Sequence, residues 1–400
     1  FILMKKKLVK ILLKLILYFR FSSTIRLLIG NVLNSHFYNP LVTVSIISEH
    51  QALLLKNSTS TNTFNGQSND IVNSIGNLEF DSAKNQLSVE FKNMQLRKVK
   101  RNDKSGEDKI VDEKFALLFQ TKINVGLIEF SVWAISLPVV VISNNKQLID
   151  ALATVIWDNA FSELHRVPFE EPEKVKWSQL AGVLSKKFEI STGRGLTSDN
   201  LHFLCEKILK TQIPFPLPED LEVSRAQFCK NLLVESVPPM NTFSFWKWFY
   251  NAMQLTHEHL KDQWKDGFIE GFIHKTKTEK NLIHCQPGTF LLRFSESILG
   301  GLVVSWVDSV SIKHLKPFMK SDLSIVSITS CIQDLEFVTY LYDGFQGLHK
   351  NQTFGKYRTF SNLPRSNDGR SNYVERGFRI ICDRSENVNN RNKNEMSSPT

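Results

Sequence analysis

One strand pattern, at residues 287–297, constrains this chain more than any other feature. The stretch reads PGTFLLRFSES, and its alternation places Phe290, Leu292 and Phe294 on one face of a strand. Arg293 then lies on the other face, as a cation held among apolar neighbours. A guanidinium in such a place needs an anion, and its planar fork of donors fits a phosphate through two parallel hydrogen bonds.

Two interpretations of this arginine are open from the residues alone. The hydroxyls of Ser295 and Ser297 can add donors beside Arg293, which favours a phosphotyrosine pocket. Alternatively, Arg293 is an ordinary strand arginine that pairs with a local carboxylate, and Glu296 is the nearest candidate.

Several stretches, taken together, resemble the signal transducer and activator of transcription (STAT) family. They follow one another in the family's order over roughly residues 24 to 360, and they are Ser136–Ile142, Trp157–Phe161, Gly271–Ile273 with Lys275, Pro287–Ser297 and Leu315–Phe318. The resemblance implies that Lys275 and Glu296 belong to the phosphotyrosine pocket with Arg293, Ser295 and Ser297. No single short motif among them would be specific enough alone.

The resemblance implies a multidomain fold: an all-β immunoglobulin-like DNA-binding domain, an all-α linker domain and an α+β SH2 domain. The expected divisions are a leader at 1–23, the β-domain at 24–165, the linker at 166–265, the SH2 domain at 266–358 and a flexible tail at 359–400.

The texture of the chain agrees with this order. Alternating apolar residues without intervening helices predict a β-sandwich or barrel before residue 165. Beyond it, apolar residues at helical spacing follow the capping candidates Thr197 and Ser198, and an aromatic stripe at 243–253 predicts a packed helical core. A further helix is expected over Ser324–Leu341.

Net charge is +9, but residues 1–30 carry seven lysines and arginines and no acid. DNA binding must therefore be argued from a local patch, and the candidates are Arg97, Lys98, Lys100 and Arg101. By resemblance, Glu113 lies at an acidic position of the DNA-binding region and Asn159 near the bases. The alternatives are a solvated basic face or a nuclear import signal for the cluster, and a cap or turn residue for Asn159.

The amino-terminal leader has no charge-free run long enough to cross a bilayer. Lys7, Lys10 and Lys14 share a helical face, so a helix lying on a membrane and a signal peptide are alternatives to non-native sequence or a terminal remnant. The five cysteines lie too far apart for a zinc-ligand spacing, and we expect buried thiols, no metal and no cofactor.

Tyr373 lies in the tail, within Asn372-Tyr373-Val374-Glu375. It resembles the family's activation tyrosine, although Asn372 and Glu375 stand where the family usually has Gly and Lys. The sixteen residues after Tyr357 reach at most ~50–58 Å when fully extended, so the tail can reach another chain.

These features predict a transcription factor rather than an enzyme, one that moves from cytoplasm to nucleus when activated. Its expected partners are a palindromic DNA site, phosphotyrosine peptides of receptors, a Janus-type tyrosine kinase and a second copy in a reciprocal SH2–phosphotyrosine dimer. The alternative is an SH2 adaptor, or a dominant-negative form, that does not bind DNA. Kinase and phosphatase motifs are absent from the sequence.

Overall fold

The computed structural model describes most of the chain and divides it into two compact units. The first unit comprises residues 1–187 and 204–251, and the second comprises residues 188–203 and 252–400. The described residues are 14–16, 20–27, 39–57, 70–81, 86–101, 110–125, 127–163, 166–167, 169–233, 242–344 and 347–357.

The first unit begins with a β-rich region. Its described strands and helices are β1 (Lys14–Ile16), β2 (Arg20–Leu27), β3 (Leu41–Ser48), α1 (Glu49–Asn57), β4 (Ile71–Val72), β5 (Ile75–Asn77), β6 (Glu79–Asp81), β7 (Gln86–Leu96), β8 (Lys114–Val125), β9 (Ile128–Ile135), β10 (Val139–Ile142) and α2 (Leu148–Phe161).

Two sheets share one core in this region. One sheet has the order β1-β10-β8-β3-β5, with β9 also paired to β8, and the other has the order β2-β7-β4, with β6 also paired to β7. Alternate residues of both sheets, among them Val42, Phe91, Phe115 and Phe119, are at most 3% exposed. The predicted β-sandwich is therefore confirmed.

The beginning of the chain differs from the expectation. Lys14 lies on β1 and pairs with Val140 of β10, and β2 pairs with β7 over nearly its whole length. A helical face that includes Lys14 is therefore wrong, and part of the expected leader belongs to the sheets. Pairing with distant strands overrides the local pattern of lysines, which sequence alone reads as helical.

A second difference is that helices interrupt the β-rich region. Helix α2 is buried from Ala151 to Asp158, and it places Asn159 in a helix rather than in a turn. A 3-10 turn at Asn145–Gln147 leads into it, and the side chain of Asn144 accepts hydrogen bonds from the backbone of that turn. The exposed cap precedes a continuous apolar run, which is why the expectation of strands alone failed here.

Helices dominate the segment that follows. They are β11 (Lys174–Lys176), α3 (Trp177–Thr192), α4 (Ser198–Leu209), β12 (Glu222–Ser224), α5 (Arg225–Cys229) and α6 (Phe245–His259), with the two short strands pairing to each other. The predicted cap is present, since the backbone nitrogen of Asn200 donates to the Thr197 hydroxyl at 3.2 Å. The aromatic stripe is core, with Trp246 and Phe249 at most 1% exposed.

The second unit contains a five-stranded sheet flanked by helices. Its elements from residue 260 onward are α7 (Lys261–Lys265), α8 (Lys275–Leu282), β13 (Thr289–Phe294), β14 (Leu302–Val307), β15 (Ile312–His314), α9 (Lys320–Leu323), α10 (Ile328–Asp334), β16 (Tyr340–Leu341), β17 (Leu348–His349) and α11 (Lys350–Thr353). The strand order is β15-β14-β13-β16-β17, which places β13 at the centre.

An aromatic cluster fixes one face of the central strand. The ring of Phe294 lies 4.8 Å from Phe272, 6.0 Å from Trp264 and 6.4 Å from Phe188 between centroids. Gly271, at φ +79, packs so closely on Trp264 that a Cβ would lie 2.6 Å from the ring. This glycine therefore lets the chain pass beside β13.

The helix expected over Ser324–Leu341 is wrong in extent. Helix α10 occupies only the middle of that stretch, because Ser327 caps its start and Leu335 turns extended at its end. Tyr340 then joins the sheet beside Thr289 of β13.

The described cysteines are free thiols: Cys205, Cys229 and Cys331 are buried, and Cys285 is partly exposed. The search of the described residues found no cluster of three or more His, Cys, Asp or Glu side chains placed to hold a metal ion. The helices of the described part of the chain are each too short or too polar to cross a bilayer.

Candidate phosphate pocket and nucleic-acid interface

Strand β13 carries Arg293 into the sheet as the sequence predicts. All six of its residues are buried, and Arg293 pairs with Val303 of β14 on one side. On the other side it forms an isolated bridge to Gly271. The Arg293 side chain is only 6% exposed, so a full positive charge is held almost out of water.

This guanidinium has few partners in the part of the chain that the structure describes. Its Nη1 donates a long bond of 3.4 Å to the carbonyl of Phe294, and its Nε has no hydrogen-bond partner. Glu296 Oε1 lies 3.8 Å from Nη1, within ion-pair range but beyond hydrogen-bonding distance. The pairing with Glu296 that the sequence left open is therefore a weak one.

Burial lowers the pKa of Arg293, and the negative charges of Glu296 and Glu279 oppose that shift. Arginine remains protonated in proteins even so. A buried cation with unfilled donors is costly unless an anion completes it, and a phosphate can do so.

Glu296 has a different task, at the start of helix α8. Its Oε1 accepts a hydrogen bond from the backbone nitrogen of Lys275 at 2.8 Å, and its Oε2 lies 3.2 Å from Nδ1 of His274. A carboxylate at a helix amino terminus is stabilised by the helix dipole and by the unpaired backbone N–H groups. Glu296 therefore braces the turn that carries Lys275.

The remaining predicted pocket residues differ in exposure. The Lys275 side chain is 56% exposed, and its Nζ lies 3.8 Å from Glu279 one turn along α8. Ser295 is buried and accepts a hydrogen bond from the backbone nitrogen of Ile298 at 3.1 Å, whereas Ser297 is exposed in the turn after β13. The structure thus links Arg293, Glu296 and Lys275 directly, and Ser295 follows on the same segment.

Sequence reasoning missed a second polar group beside these cations. His314 of β15 contacts the Ser305 hydroxyl through Nδ1 at 2.8 Å and Glu279 through Nε2 at 3.1 Å. Burial lowers the pKa of His314; its hydrogen bond to Glu279 opposes this, and the charges of Arg293 and Lys275 lower the pKa further. Only the pairing of Ser305 with His314 across β14 and β15 reveals this group, and no local motif announces it.

The basic segment after β7 is largely exposed. The side chains of Arg97, Lys98 and Lys100 face solvent, while Val99 packs against the sandwich core. Three cations in an irregular strand extension are suited to phosphate contacts that carry no sequence information.

Arg101 is placed differently from its neighbours. Its Nη1 pairs with Glu113 at 3.0 Å, its Nη2 donates to the carbonyl of Val141 at 2.7 Å, and its side chain is 27% exposed. Two residues predicted to contact DNA therefore contact each other.

Asn159 is exposed near the end of α2, beside a buried neighbour. Asp158 is fully buried and accepts a hydrogen bond from Nζ of Lys114 at 3.2 Å. Because Lys114 directly follows Glu113, the basic segment and the helix that carries Asn159 meet at the beginning of β8. The predicted DNA-binding residues thus lie along one connected set of charged side chains.

Comparison with protein families assigns three consecutive regions. Residues 13–142 match the STAT protein DNA-binding domain, residues 164–249 match the linker domain of signal transducers and activators of transcription, and residues 268–340 match the SH2 domain. The chain belongs to the STAT family.

A curated STAT relative supports the assignment along most of the chain. The signal transducer and transcription activator of Anopheles gambiae is 39% identical over 345 residues, which is 84% of this chain and 46% of that protein. The STAT chain described here therefore spans about half the length of this relative. The match to the DNA-binding domain begins at residue 13, so it includes β1 and β2, which sequence reasoning had assigned in part to a leader.

Two predicted features lie outside the described residues of this STAT chain. They are Tyr373 with its tail and the first lysines of the leader. The DNA-binding domain and the SH2 domain are each recognised in full sequence order, and this order places the basic segment in the former and Arg293 in the latter.

Proposed function

We propose that this chain acts as a sequence-specific transcription factor that is switched by tyrosine phosphorylation. A tyrosine kinase of the Janus type phosphorylates Tyr373, and the phosphate of one chain enters the pocket of another. The reciprocal exchange forms a two-fold dimer that holds a palindromic DNA site. The mechanism is binding, with no catalytic step.

One observation carries the proposal most directly. Arg293 is a nearly buried guanidinium whose Nε has no hydrogen-bond partner among the described residues and whose nearest carboxylate is 3.8 Å away. A phosphotyrosine has nearly two negative charges at neutral pH and several acceptor oxygens, so it can fill those donors. Lys275, on the helix braced by Glu296, supplies a second cation.

The dimer follows from having tail and pocket in one chain. In an isologous interface each subunit offers the same two parts, so two equivalent contacts form together. The second contact is then intramolecular within the complex, and its high effective concentration strengthens a weak single contact. Docking of the same pocket on phosphorylated receptors would bring the chain to the kinase.

DNA binding is assigned to the first unit. Arg97, Lys98 and Lys100 supply exposed positive charge for the phosphates, and Asn159 supplies an exposed amide that can pair with the edge of an adenine. We place the Arg101–Glu113 pair in support of this surface, since both side chains are already engaged with each other. Such activity implies transfer from cytoplasm to nucleus after phosphorylation.

The test uses the full chain, treated with a Janus-type kinase. We expect phosphate on Tyr373, a dimer by light scattering, and slower migration of a palindromic duplex, whereas Tyr373→Phe remains monomeric. Dimers of the kinase-treated Tyr373→Phe chain would contradict the role of the tail. Phosphorylated dimers that leave the duplex unshifted would favour the adaptor without DNA binding.

A further inference from the structure

Helix α2 ends in a cluster of buried charges that no expectation from sequence included. Asp158 is fully buried, and two cations reach it: Nζ of Lys114 at 3.2 Å, and the guanidinium of Arg166 at 3.0 Å and 2.5 Å on its two carboxylate oxygens. The two-pronged arginine contact is the stronger and the more directional of the two.

Arg166 does more than neutralise Asp158. The same guanidinium contacts the hydroxyl of Ser162 and the carbonyl of Glu170, and its side chain is 14% exposed. Ser162 is the residue that ends α2, and its backbone nitrogen donates to the carbonyl of Asp158 at 3.1 Å. One arginine therefore ties the side chain of the last turn, the cap and the following loop together.

The cluster continues into the segment beyond α2. Lys114 also pairs with Glu171 at 3.1 Å, Glu171 lies 2.9 Å from Nε of Arg225, and Arg225 Nη2 donates to Asp112 at 3.1 Å. These residues belong to the same compact unit as Asn159. Charges on both sides of the expected border at residue 165 are therefore members of one network.

Asn159 immediately follows the residue that this network holds. Neighbouring side chains on a helix point about 100° apart around its axis. With Asp158 fixed inward by Lys114 and Arg166, the direction of the exposed Asn159 amide is set. A side chain that reads a base through two hydrogen bonds must be held to within a fraction of an ångström, and supporting contacts supply that precision.

We propose that Arg166, acting through Asp158, is a positioning residue for base recognition by Asn159. The inference rests on the proposed function, because it needs Asn159 to contact DNA. It adds that a residue from beyond α2, distant from the exposed basic segment in sequence, determines how well the chain distinguishes one base pair from another.

The informative variant is Arg166→Lys. Lysine keeps the positive charge but has no planar fork, so it cannot hold both oxygens of Asp158 together with Ser162 and Glu170. Trp157 is fully buried beside this turn, and its Nε1 donates to the carbonyl of Pro172 at 2.9 Å, so the helix keeps its packing in the variant. Lys146→Arg, at an exposed position before α2, is the matched control.

The experiment is a double-mutant cycle on the kinase-treated full chain. Its probes are a duplex selected against the wild-type dimer from random DNA and the same duplex with single base pairs replaced. Asn159→Ala identifies the base pair that Asn159 reads by lowering discrimination there by about tenfold. Arg166→Lys should lower discrimination at that same base pair and nowhere else, and should add nothing in the Asn159→Ala background.

Additive effects, or a uniform loss at all positions, would overturn the proposal, because they indicate a general structural role. Unchanged discrimination in Arg166→Lys would overturn it as well. If Asn159→Ala itself has no effect on discrimination, the assignment of Asn159 to the bases fails and the inference fails with it, and this outcome is distinguishable from the others. Thermal unfolding of each variant verifies that the compared proteins are folded.

Discussion

Arg293 and Glu296 lie 3.8 Å apart at the end of β13, close enough to interact and too far to form a hydrogen bond. The same carboxylate is committed elsewhere, since Oε1 accepts from the backbone of Lys275 at 2.8 Å. The geometry separates two roles within a short stretch: the arginine offers open donors to an anion, and the glutamate orders the helix that presents the second cation.

Arg293→Lys should abolish measurable capture of a phosphotyrosine peptide. An ammonium cannot supply the fork of donors, and the loss of one such charged hydrogen bond weakens binding by roughly tenfold to a hundredfold. Fluorescence anisotropy with a labelled peptide of residues 368–378 phosphorylated at Tyr373 measures this. Arg97→Lys, at an exposed arginine of the other unit, is the control, and retained affinity in Arg293→Lys would remove Arg293 from the pocket.

Glu296→Gln should bind the same peptide more tightly than the wild type. Glutamine keeps an oxygen that accepts from Lys275, while the negative charge beside the incoming phosphate is removed. Repulsion between unit charges ~4 Å apart is about 1 kcal/mol in water, which is roughly a fivefold gain in affinity. Glu336→Gln, at an exposed site, is the control.

Glu296→Ala should differ from Glu296→Gln, because alanine also removes the acceptor at the start of α8. We expect it to lose part or all of the gain, and isothermal calorimetry separates the two variants. Equal affinities for the two would contradict the bracing role of Glu296.

His314 should make the second unit less stable in mild acid. Burial lowers the pKa of His314 from its ordinary value of 6.5, so in the window between the folded-state pKa and 6.5 the unfolded chain binds more protons. The free energy of unfolding should therefore fall as the pH drops through this window. Glu279, Ser305, Arg293 and Lys275 are the polar groups that act on the ring.

Denaturant unfolding at about pH 7.5 and about pH 5.5 measures that loss, since histidine changes charge between these values. His314→Gln should lose less stability over this interval than the wild type, and His284→Gln, at an exposed histidine, should behave as the wild type. An identical loss in all three proteins would show that His314 does not titrate in the way its burial implies.

Lys350→Met should destabilise the second unit by about 1–3 kcal/mol. The Nζ of Lys350 donates to the carbonyls of Leu335 at 2.7 Å, Gln333 at 3.1 Å and Ile332 at 3.3 Å. These carbonyls end α10, where they have no partners within the helix. Thermal unfolding measures the effect against Lys316→Met at an exposed lysine, and equal midpoints would show that the cap contributes nothing.

The basic segment should divide into two kinds of residue in DNA binding. Replacing Arg97, Lys98 or Lys100 by Gln should reduce the slope of log affinity against log salt by about 0.9 per lost phosphate contact. Arg101→Gln should lower thermal stability while leaving the slope unchanged, because Arg101 is paired with Glu113 and bonded to Val141. A slope that falls with Arg101→Gln as much as with the others would place Arg101 on the DNA.

The sequence by itself determined the order of the regions, the strand that carries Arg293, the helix that begins at Lys275, and the helical core that follows Thr197. These are local patterns of two or three or four residues, and the apolar face that each pattern creates has to be buried wherever the chain goes. The resemblance of short motifs in a fixed order then gave the family.

Only the tertiary structure decided which charges meet. Arg101 with Glu113, Arg166 with Asp158, and His314 with Glu279 are separated by 12, 8 and 35 residues, and each pair forms because distant strands and helices bring its members together. The strands at the beginning of the chain were hidden for the same reason, since β1 and β2 pair with β10 and β7 far along the sequence. A buried charge is tolerated only where such a partner arrives, and side-chain periodicity contains no record of the partner.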